Sequence, residues 1–177
     1  MKTFLTTALL GLAVAITSVQ AGPAAKTFKE EIVVIDDTCL FSDNEFQIDA
    51  FYSGFVGSGG SYFGTGSGGG FGLNYFFAKY FGIGYEAQWY SNQGTAQHLP
   101  LGGNFFIRYP ICSLNLAPYI MVGGGGTWNG HGSGYGNVGG GLEYRFTKNI
   151  GIFVDGRYFY GGTDNVANIR SGLRFAF

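Results

Sequence analysis

Apolar and polar side chains alternate along most of the chain after residue 44, with the period of two that is typical of β-strands. The alternation predicts eight strands, at 45–56, 69–77, 80–90, 98–109, 115–124, 135–146, 149–160 and 166–177. Short turns alternate with longer glycine-rich loops between these strands. Strands joined in this way form an antiparallel meander, and closing the meander into a barrel removes its two free edges.

A short motif recurs along the chain and supports this hairpin organisation. The segment 72–77 (GLNYFF) recurs as 141–146 (GLEYRF) and as 172–177 (GLRFAF), with a weaker copy at 102–107. The spacing between copies leaves room for two strands, a tight turn and a longer loop. The repeat therefore predicts an all-β, up-and-down arrangement over 45–177.

The two faces of the predicted strands differ in chemistry. One face is apolar and aromatic, as at Leu73, Tyr75 and Phe77, and carries no charged residue. The other face is rich in glycine and carries all the arginines and four acids: Asp49, Glu86, Arg108, Glu143, Arg145, Asp155, Arg157, Arg170 and Arg174. Because eight strands enclose a space only just wide enough for side chains, the bulky apolar face does not fit inside. It is predicted to face lipid, which makes the chain a transmembrane barrel.

The interior charges have two interpretations. Neighbouring strands present opposite charges, which favours a salt-bridged filling that holds the barrel together, since arginine pairs well with carboxylates in buried positions. The alternative is that the same side chains line a narrow, selective pore. The sequence leaves both open.

The first residues have the pattern of a secretory signal peptide. Lys2 precedes a mainly apolar stretch at 4–16, and Val19-Gln20-Ala21 provides a cleavage site, so we expect a cut after Ala21. The apolar stretch is shorter than the ~20 residues of a membrane-spanning helix. We expect an exported chain with an N-terminal segment at 22–44 in front of the barrel at 45–177.

Composition agrees with this interpretation. Glycine accounts for 33 of 177 residues and aromatic residues for 18%, while charged residues make up only 12%, against ~25% in soluble domains. An apolar content of 46% excludes a disordered chain. The formal net charge of -1 offers no basic groove for nucleic acid.

An exported chain with these strands and the terminal segment Phe175-Ala176-Phe177 resembles the small bacterial outer-membrane β-barrels, namely the relatives of OmpX, of the OmpA transmembrane domain and of the opacity proteins. The resemblance implies a location in the outer membrane, with the termini and short turns in the periplasm and the glycine-rich loops outside. It also implies that Leu173, Phe175 and Phe177 form a signal for the outer-membrane assembly machinery.

The two cysteines lie on the same side in this topology, since Cys39 precedes the first strand and Cys112 lies in a short turn. A pair of cysteines in an oxidising compartment favours a disulfide. Two free thiols, or two sulfurs too far apart to bond, remain alternatives.

Other motifs carry less weight. The segment 64–69 fits G-x-G-x-x-G but lacks the strand-loop-helix context of a dinucleotide site, so we interpret it as a loop. His131 and Ser133 with Glu143 match the residue types of a lipid A deacylase, but their predicted positions fit one triad poorly. His98 and His131 lack further metal ligands.

The sequence therefore predicts an outer-membrane barrel without a catalytic site, cofactor or metal. We expect a structural or surface-interaction role, for a protein that contacts outer-membrane lipid and is monomeric. Candidate contact residues for an external ligand lie in the loops: Tyr62, Phe63, Trp128 and His131. A narrow porin-like channel for small polar solutes is the alternative, and a lipid-modifying hydrolase is a remote one.

Overall fold

The computed structural model describes residues 39–57, 65–92, 95–97, 100–127, 133–161 and 165–177. The described residues form nine strands: β1 Glu45–Gly57, β2 Thr65–Ala78, β3 Phe81–Asn92, β4 Thr95–Gln97, β5 Pro100–Arg108, β6 Leu116–Thr127, β7 Ser133–Arg145, β8 Ile150–Tyr160 and β9 Val166–Ala176. One turn of 3-10 helix, Cys112–Leu114, lies between β5 and β6. No helix among these described residues is long and apolar enough to cross a membrane.

The strands close into a barrel. β1 pairs antiparallel with both β2 and β9, and the pairing of β2 with β3 completes the circle. β4 pairs with the end of β3, and β5 pairs with the rest of β3. β4 and β5 together therefore occupy one strand position, and the nine strands form an eight-stranded barrel. The predicted fold class, an eight-stranded antiparallel meander barrel, is confirmed.

The two ends of the barrel are different. At the turn-side end, strands are joined by residues 79–80, 109–115 and 146–149, and the described chain begins at Cys39 and stops at Phe177. At the opposite, loop-side end, the strands lead into residues 58–64, 128–132 and 162–164, which lie outside the described residues. The predicted signal peptide, within residues 1–38, also lies outside them.

Two predicted loops were too long, the one before β2 and the one between β6 and β7. β2 begins at Thr65 rather than at 69, β6 continues to Thr127, and β7 begins at Ser133. The predicted strand at 98–109 corresponds to β5, while β4 at Thr95–Gln97 lies before its predicted start, in a segment predicted as a loop. Runs of glycine have no side-chain alternation to reveal a strand, and the backbone ladder of the closed barrel continues through them.

The apolar face lies outside, as the sequence predicts. Phe71 is 57% exposed and Leu73 49%, whereas Gln47 on the inward face of β1 is fully buried. This large apolar surface can only be stable against hydrocarbon, so the barrel spans a bilayer. Pro118 is paired at the turn-side end of β6, beyond the last pair of β5 with β6, where its missing N–H interrupts no interior ladder bond.

Large aromatic side chains share the interior with the charges, which the sequence analysis did not anticipate. Phe76 packs against inward-facing Gly82, where an added Cβ would lie 2.8 Å from the ring. Phe76 also belongs to a buried cluster with Phe106, Tyr119 and Met121. Glycine on one strand therefore provides the space for an aromatic ring from its neighbour.

Candidate functional site

The interior charges form two clusters, and the turn-side cluster centres on Arg174 in β9. Arg174 donates from Nε and Nη2 to the two oxygens of Asp49, at 2.7 and 2.6 Å, and from Nη1 to Glu143 at 2.7 Å. The planar guanidinium fork fits this bidentate arrangement. One arginine therefore ties β9 to β1 on one side and to β7 on the other.

Glu45 is the acid of this cluster that the sequence analysis missed. Its Oε1 accepts from Arg108 Nη1 at 2.8 Å and from Arg145 Nη2 at 2.7 Å, and Arg145 also bonds Glu143. Glu45 is 3% exposed. Its alternation with Gln47 and Asp49 on β1 was the signal that could have found it, because these residues share the inward face.

Arg108 and Arg145 also bind the backbone of the short turns. Arg108 Nε donates to the carbonyl of Lys79 at 2.8 Å, and Arg145 Nη1 donates to the carbonyl of Lys148 at 2.8 Å. In the second turn, Thr147 Oγ1 accepts from the backbone N–H of Ile150 at 3.1 Å. The interior charges thus hold the hairpin turns in place.

The chain just before β1 packs over this cluster. Phe41 is 2% exposed, and the guanidinium carbons of Arg108 and Arg145 lie 5.1 and 5.0 Å from the centre of its ring. Arg108 Nη2 donates to the carbonyl of Ser42 at 3.2 Å, and the Tyr75 hydroxyl donates to Asn44 at 3.0 Å. Residues 41–44 therefore cover the turn-side charges.

A disulfide fastens this segment. Cys39 and Cys112 are bonded, with Cα atoms 4.7 Å apart and a sequence separation of 73. The predicted disulfide is confirmed, and the alternative of two free thiols is excluded. Lys79 Nζ lies 3.4 Å from Cys112 Sγ, a contact that the sequence did not indicate.

The loop-side cluster consists of Glu86, Asp155, Arg157 and Arg170. Arg170 binds both oxygens of Asp155, at 2.8 and 2.6 Å, and Glu86 at 2.9 Å across the barrel. Arg157 bonds Glu86, and its Nε lies 3.5 Å from Asp155 without a hydrogen bond. The ring of Phe51 lies 4.3 Å from the Arg170 guanidinium.

Two aromatic side chains join the clusters. The Tyr119 hydroxyl donates to Asp155 at 2.9 Å, while its ring faces Arg174 at 5.6 Å. Phe153 lies between the arginines, 4.6 Å from Arg174 and 5.6 Å from Arg170. Cation–π contacts of this kind stabilise guanidinium groups that are out of reach of water.

The two clusters are each electrically neutral. The turn-side cluster pairs three carboxylates with three arginines, namely Glu45, Asp49 and Glu143 with Arg108, Arg145 and Arg174. The loop-side cluster pairs two carboxylates with two arginines, namely Glu86 and Asp155 with Arg157 and Arg170. Nine of these ten residues were the predicted interior charges, and the structure brings them together. Mutual neutralisation offsets the cost of burying them.

Neutral side chains fill the loop-side part of the interior. Phe55, Tyr90, Phe159 and Val166 form a buried cluster, against which Tyr135 packs. Asn137 and Ser53 are also buried in this half. Among the described residues, neither amide atom of Asn137 has a hydrogen-bond partner. In the described turn-side interior, Gln47 Oε1 also lacks a partner, but the loop-side interior has more such atoms, on Ser53, Tyr135, Asn137 and Asn168.

The remaining predicted site residues lie elsewhere. Leu173, Phe175 and Phe177 are exposed on the outward face, and Phe177 exchanges backbone hydrogen bonds with Phe46 at 2.9 and 3.2 Å. The candidate loop contacts and the candidate metal ligands lie outside the described residues: Tyr62, Phe63, His98, Trp128 and His131.

Comparison with known proteins identifies the fold. No family profile and no curated protein matches the sequence. The N-terminal barrel domain of Pseudomonas aeruginosa OprF matches with a TM-score of 0.59 at 20% identity, over 77% of this chain and 99% of that one. Neisserial surface protein A matches with a TM-score of 0.59 at 18% identity, over 75% and 96%.

A third match is the P. aeruginosa outer-membrane protein OprG, with a TM-score of 0.50 at 11% identity over 77% and 97% of the two chains. The chain has the fold of the small outer-membrane β-barrels. At these identities the likeness extends to the fold and not to a particular role. Together with the lipid-facing belt, this barrel fold agrees with the predicted location in the bacterial outer membrane.

Proposed function

We propose that this protein is a closed barrel that anchors external loops in the outer membrane, with a structural or surface-interaction role. The observation that carries the proposal is the pairing of the ten interior charges into two neutral clusters. A conducting pore needs charged or polar groups that can exchange partners with a passing ion. Here each guanidinium and carboxylate is held by at least one opposite charge within the barrel.

The covered turn-side end supports the same proposal. Phe41 and the Ser42 carbonyl contact the arginines at that end, and the Cys39–Cys112 bond holds the segment there. A solute entering from the loop side would meet the aromatic cluster around Phe55 and Phe159 first. We infer that the turn-side end faces the periplasm, as in the resemblance to the OmpX and OmpA barrels.

A catalytic role is not part of the proposal. Glu143, the carboxylate of the candidate deacylase triad, is fully buried between Arg145 and Arg174. A carboxylate held by two arginines cannot also orient a histidine as the base of a triad. His131 lies outside the described residues.

Single-channel recording of the refolded mature protein in a planar bilayer tests the closed barrel. We expect no discrete conductance steps, with folding verified by the mobility shift between boiled and unboiled samples. Discrete steps from the native protein would overturn the proposal and favour the narrow channel. A variant with Arg157→Ala and Arg170→Ala, which removes both cations of the loop-side cluster, serves as a control that the assay can detect an opened interior.

The surface role is tested on the loops. Replacing residues 58–64 and 128–132 by Gly-Ser segments of equal length removes Tyr62, Phe63, Trp128 and His131. We expect cells displaying this variant to lose adhesion to a surface that retains cells with the native protein, while the gel shift stays unchanged. Equal adhesion by both would leave the structural anchor as the role.

Biogenesis is the last part of the proposal. We infer that Leu173, Phe175 and Phe177 are read by the assembly machinery before β9 pairs with β1, and that the folded protein is a monomer. Phe177 is 69% exposed, so its ring adds little to the folded interior. The change Phe177→Ala should lower the amount of folded protein in the outer membrane without changing the unfolding midpoint of what is recovered.

A further inference from the structure

A partly exposed disulfide with a lysine beside it lies at the turn-side end of the barrel. Cys39 and Cys112 are bonded to each other, and neither residue is fully buried. The ammonium Nζ of Lys79 lies 3.4 Å from Cys112 Sγ. The contact places a positive charge beside one of the two sulfurs and not the other.

The backbone around Lys79 is fixed, which gives its side chain a defined origin. The backbone N–H of Lys79 donates to the Asp43 carboxylate at 2.5 Å, and the Lys79 carbonyl accepts from Arg108 Nε at 2.8 Å. Lys79 also occupies the tight turn between β2 and β3. Because the backbone N–H and the carbonyl of Lys79 are both hydrogen-bonded, the Lys79 side chain starts from a fixed position close to Cys112.

The position of Lys79 beside Cys112 affects how the disulfide would exchange with a thiol. A thiolate attacks one sulfur of a disulfide, and the other sulfur leaves with the electron pair of the broken bond. A nearby cation stabilises the departing thiolate, and a better-stabilised thiolate leaves faster. Lys79 therefore favours Cys112 as the leaving sulfur and Cys39 as the sulfur that is attacked.

We propose that Cys39–Cys112 is a thiol–disulfide exchange site whose reducing partner is a dithiol. One thiolate of the partner attacks Cys39 Sγ, the bond to Cys112 breaks, and Cys112 leaves as a thiolate beside Lys79 Nζ. The partner's second thiolate then attacks the partner sulfur of the mixed disulfide, and Cys39 leaves as a thiolate that takes a proton from solvent. The partner is oxidised to a disulfide, and the two cysteines gain the two electrons.

Reduction frees residues 39–44 from their covalent attachment to the turn at 109–115. The non-covalent contacts of the segment remain, namely Phe41 on the arginine pair and the Ser42 carbonyl on Arg108. The exchange therefore adjusts how firmly the turn-side end is covered, without requiring the barrel to unfold. This inference stands independently of the closed-barrel proposal, because it concerns the reactivity of one bond.

Reduction kinetics of the refolded mature protein test the role of Lys79. The probe is dithiothreitol, and the reaction is followed by alkylation of the released thiols and mass measurement. We expect Lys79→Met to slow reduction about fivefold, the factor expected for losing one charge next to the leaving sulfur at a partly exposed site. Lys79→Arg, which keeps a cation, should retain most of the native rate.

Lys148→Met is the matched control, because Lys148 occupies another short turn at the same end of the barrel. It should leave the reduction rate unchanged. A native rate in Lys79→Met, or an equal slowing by Lys148→Met, would overturn the proposal. The unboiled gel shift of each variant, measured before reduction, verifies that all of them are folded.

The direction of attack is tested separately with a monothiol. Glutathione forms a mixed disulfide with whichever sulfur it attacks, and peptide mass mapping locates it. We expect the adduct predominantly on Cys39, with this preference lost in Lys79→Met. An adduct predominantly on Cys112 of the native protein would contradict the assigned leaving group. The conductance of the oxidised protein plays no part in either measurement, so this proposal and the closed barrel can fail independently.

Discussion

The turn-side and loop-side halves of the interior satisfy their polar groups in different ways. In the turn-side half, arginines bind carboxylates and also the backbone carbonyls of Ser42, Lys79 and Lys148. In the loop-side half, the four charges are paired, but buried Ser53 and Asn137 have no hydrogen-bond partner among the described residues. An unpaired buried polar group costs stability, whereas a completed network adds to it.

The difference indicates where the barrel is held most firmly. The turn-side half combines ion pairs, anchored turns, the segment at 41–44 and a covalent cross-link. The loop-side half leads into the segments for which we propose external contacts. Functional surfaces are commonly carried by the less stable parts of a rigid scaffold. In this barrel the proposed contact surface lies at the loop-side end, where fewer interactions hold the chain.

The largest expected effect comes from removing the central turn-side cation. Arg174→Met leaves Asp49 without its bidentate partner and removes one of the two arginines that hydrogen-bond Glu143. Breaking a buried ion pair from one side costs about 3–5 kcal/mol, because the remaining charge, here Asp49 with only the amide of Asn74 bonded to it, is buried without an opposite charge. The measurement is the free energy of unfolding in urea, followed by tryptophan fluorescence in lipid vesicles.

Arg157→Met provides the loop-side comparison. Glu86 keeps Arg170 after this change, and Arg157 Nε has no hydrogen bond to lose. We expect a smaller loss, about 1.5–3 kcal/mol, which is the range for one hydrogen bond to a charged group. Equal losses in the two variants would remove the distinction between the halves. If Arg174→Met fails to fold, combining it with Asp49→Asn should restore the gel shift by removing the uncompensated charge.

The faces of the strands could be predicted from the sequence, because a period of two leaves only two ways to orient a strand. Pairs such as Glu143 with Arg145, and Arg170 with Arg174, fix that choice when both members must avoid lipid. The repeat and the turns then fixed the order of the strands. Topology favoured the disulfide, since both cysteines lie at one end, but it left free thiols as an alternative.

The partners across the barrel could not be predicted. Arg170 reaches Glu86 on the far side of the interior, and this contact depends on the strand stagger and on side-chain length. Phe41 could not be found because it precedes the first strand and follows no alternation. The interior aromatic rings were missed for a third reason: the period of two puts Phe76 and Phe106 on the inward face, but only charged residues and glycine were taken as the marks of that face.

The smallest expected effect compares two buried tyrosine hydroxyl groups. Tyr119→Phe removes the hydrogen bond to Asp155, which should cost about 1.5 kcal/mol, the lower end of the range for a hydrogen bond to a charged group. The Tyr135 hydroxyl is buried and has no hydrogen-bond partner among the described residues. Tyr135→Phe should therefore change the free energy of unfolding by less than about 0.5 kcal/mol, or raise it, because it removes a desolvated group without breaking a bond.

Both variants are Tyr→Phe changes, so the difference between their free energies of unfolding reports on the surroundings of the two hydroxyl groups. Each loses one oxygen atom and keeps its ring, Tyr119 against Phe106 and Tyr135 against Phe159. Urea unfolding of both, under identical lipid conditions, gives the difference directly. A larger loss for Tyr135→Phe than for Tyr119→Phe would mean that the loop-side hydroxyl is well bonded in the membrane-embedded protein. The hydrogen-bonding contrast between the halves would then be confined to Asn137 and Ser53.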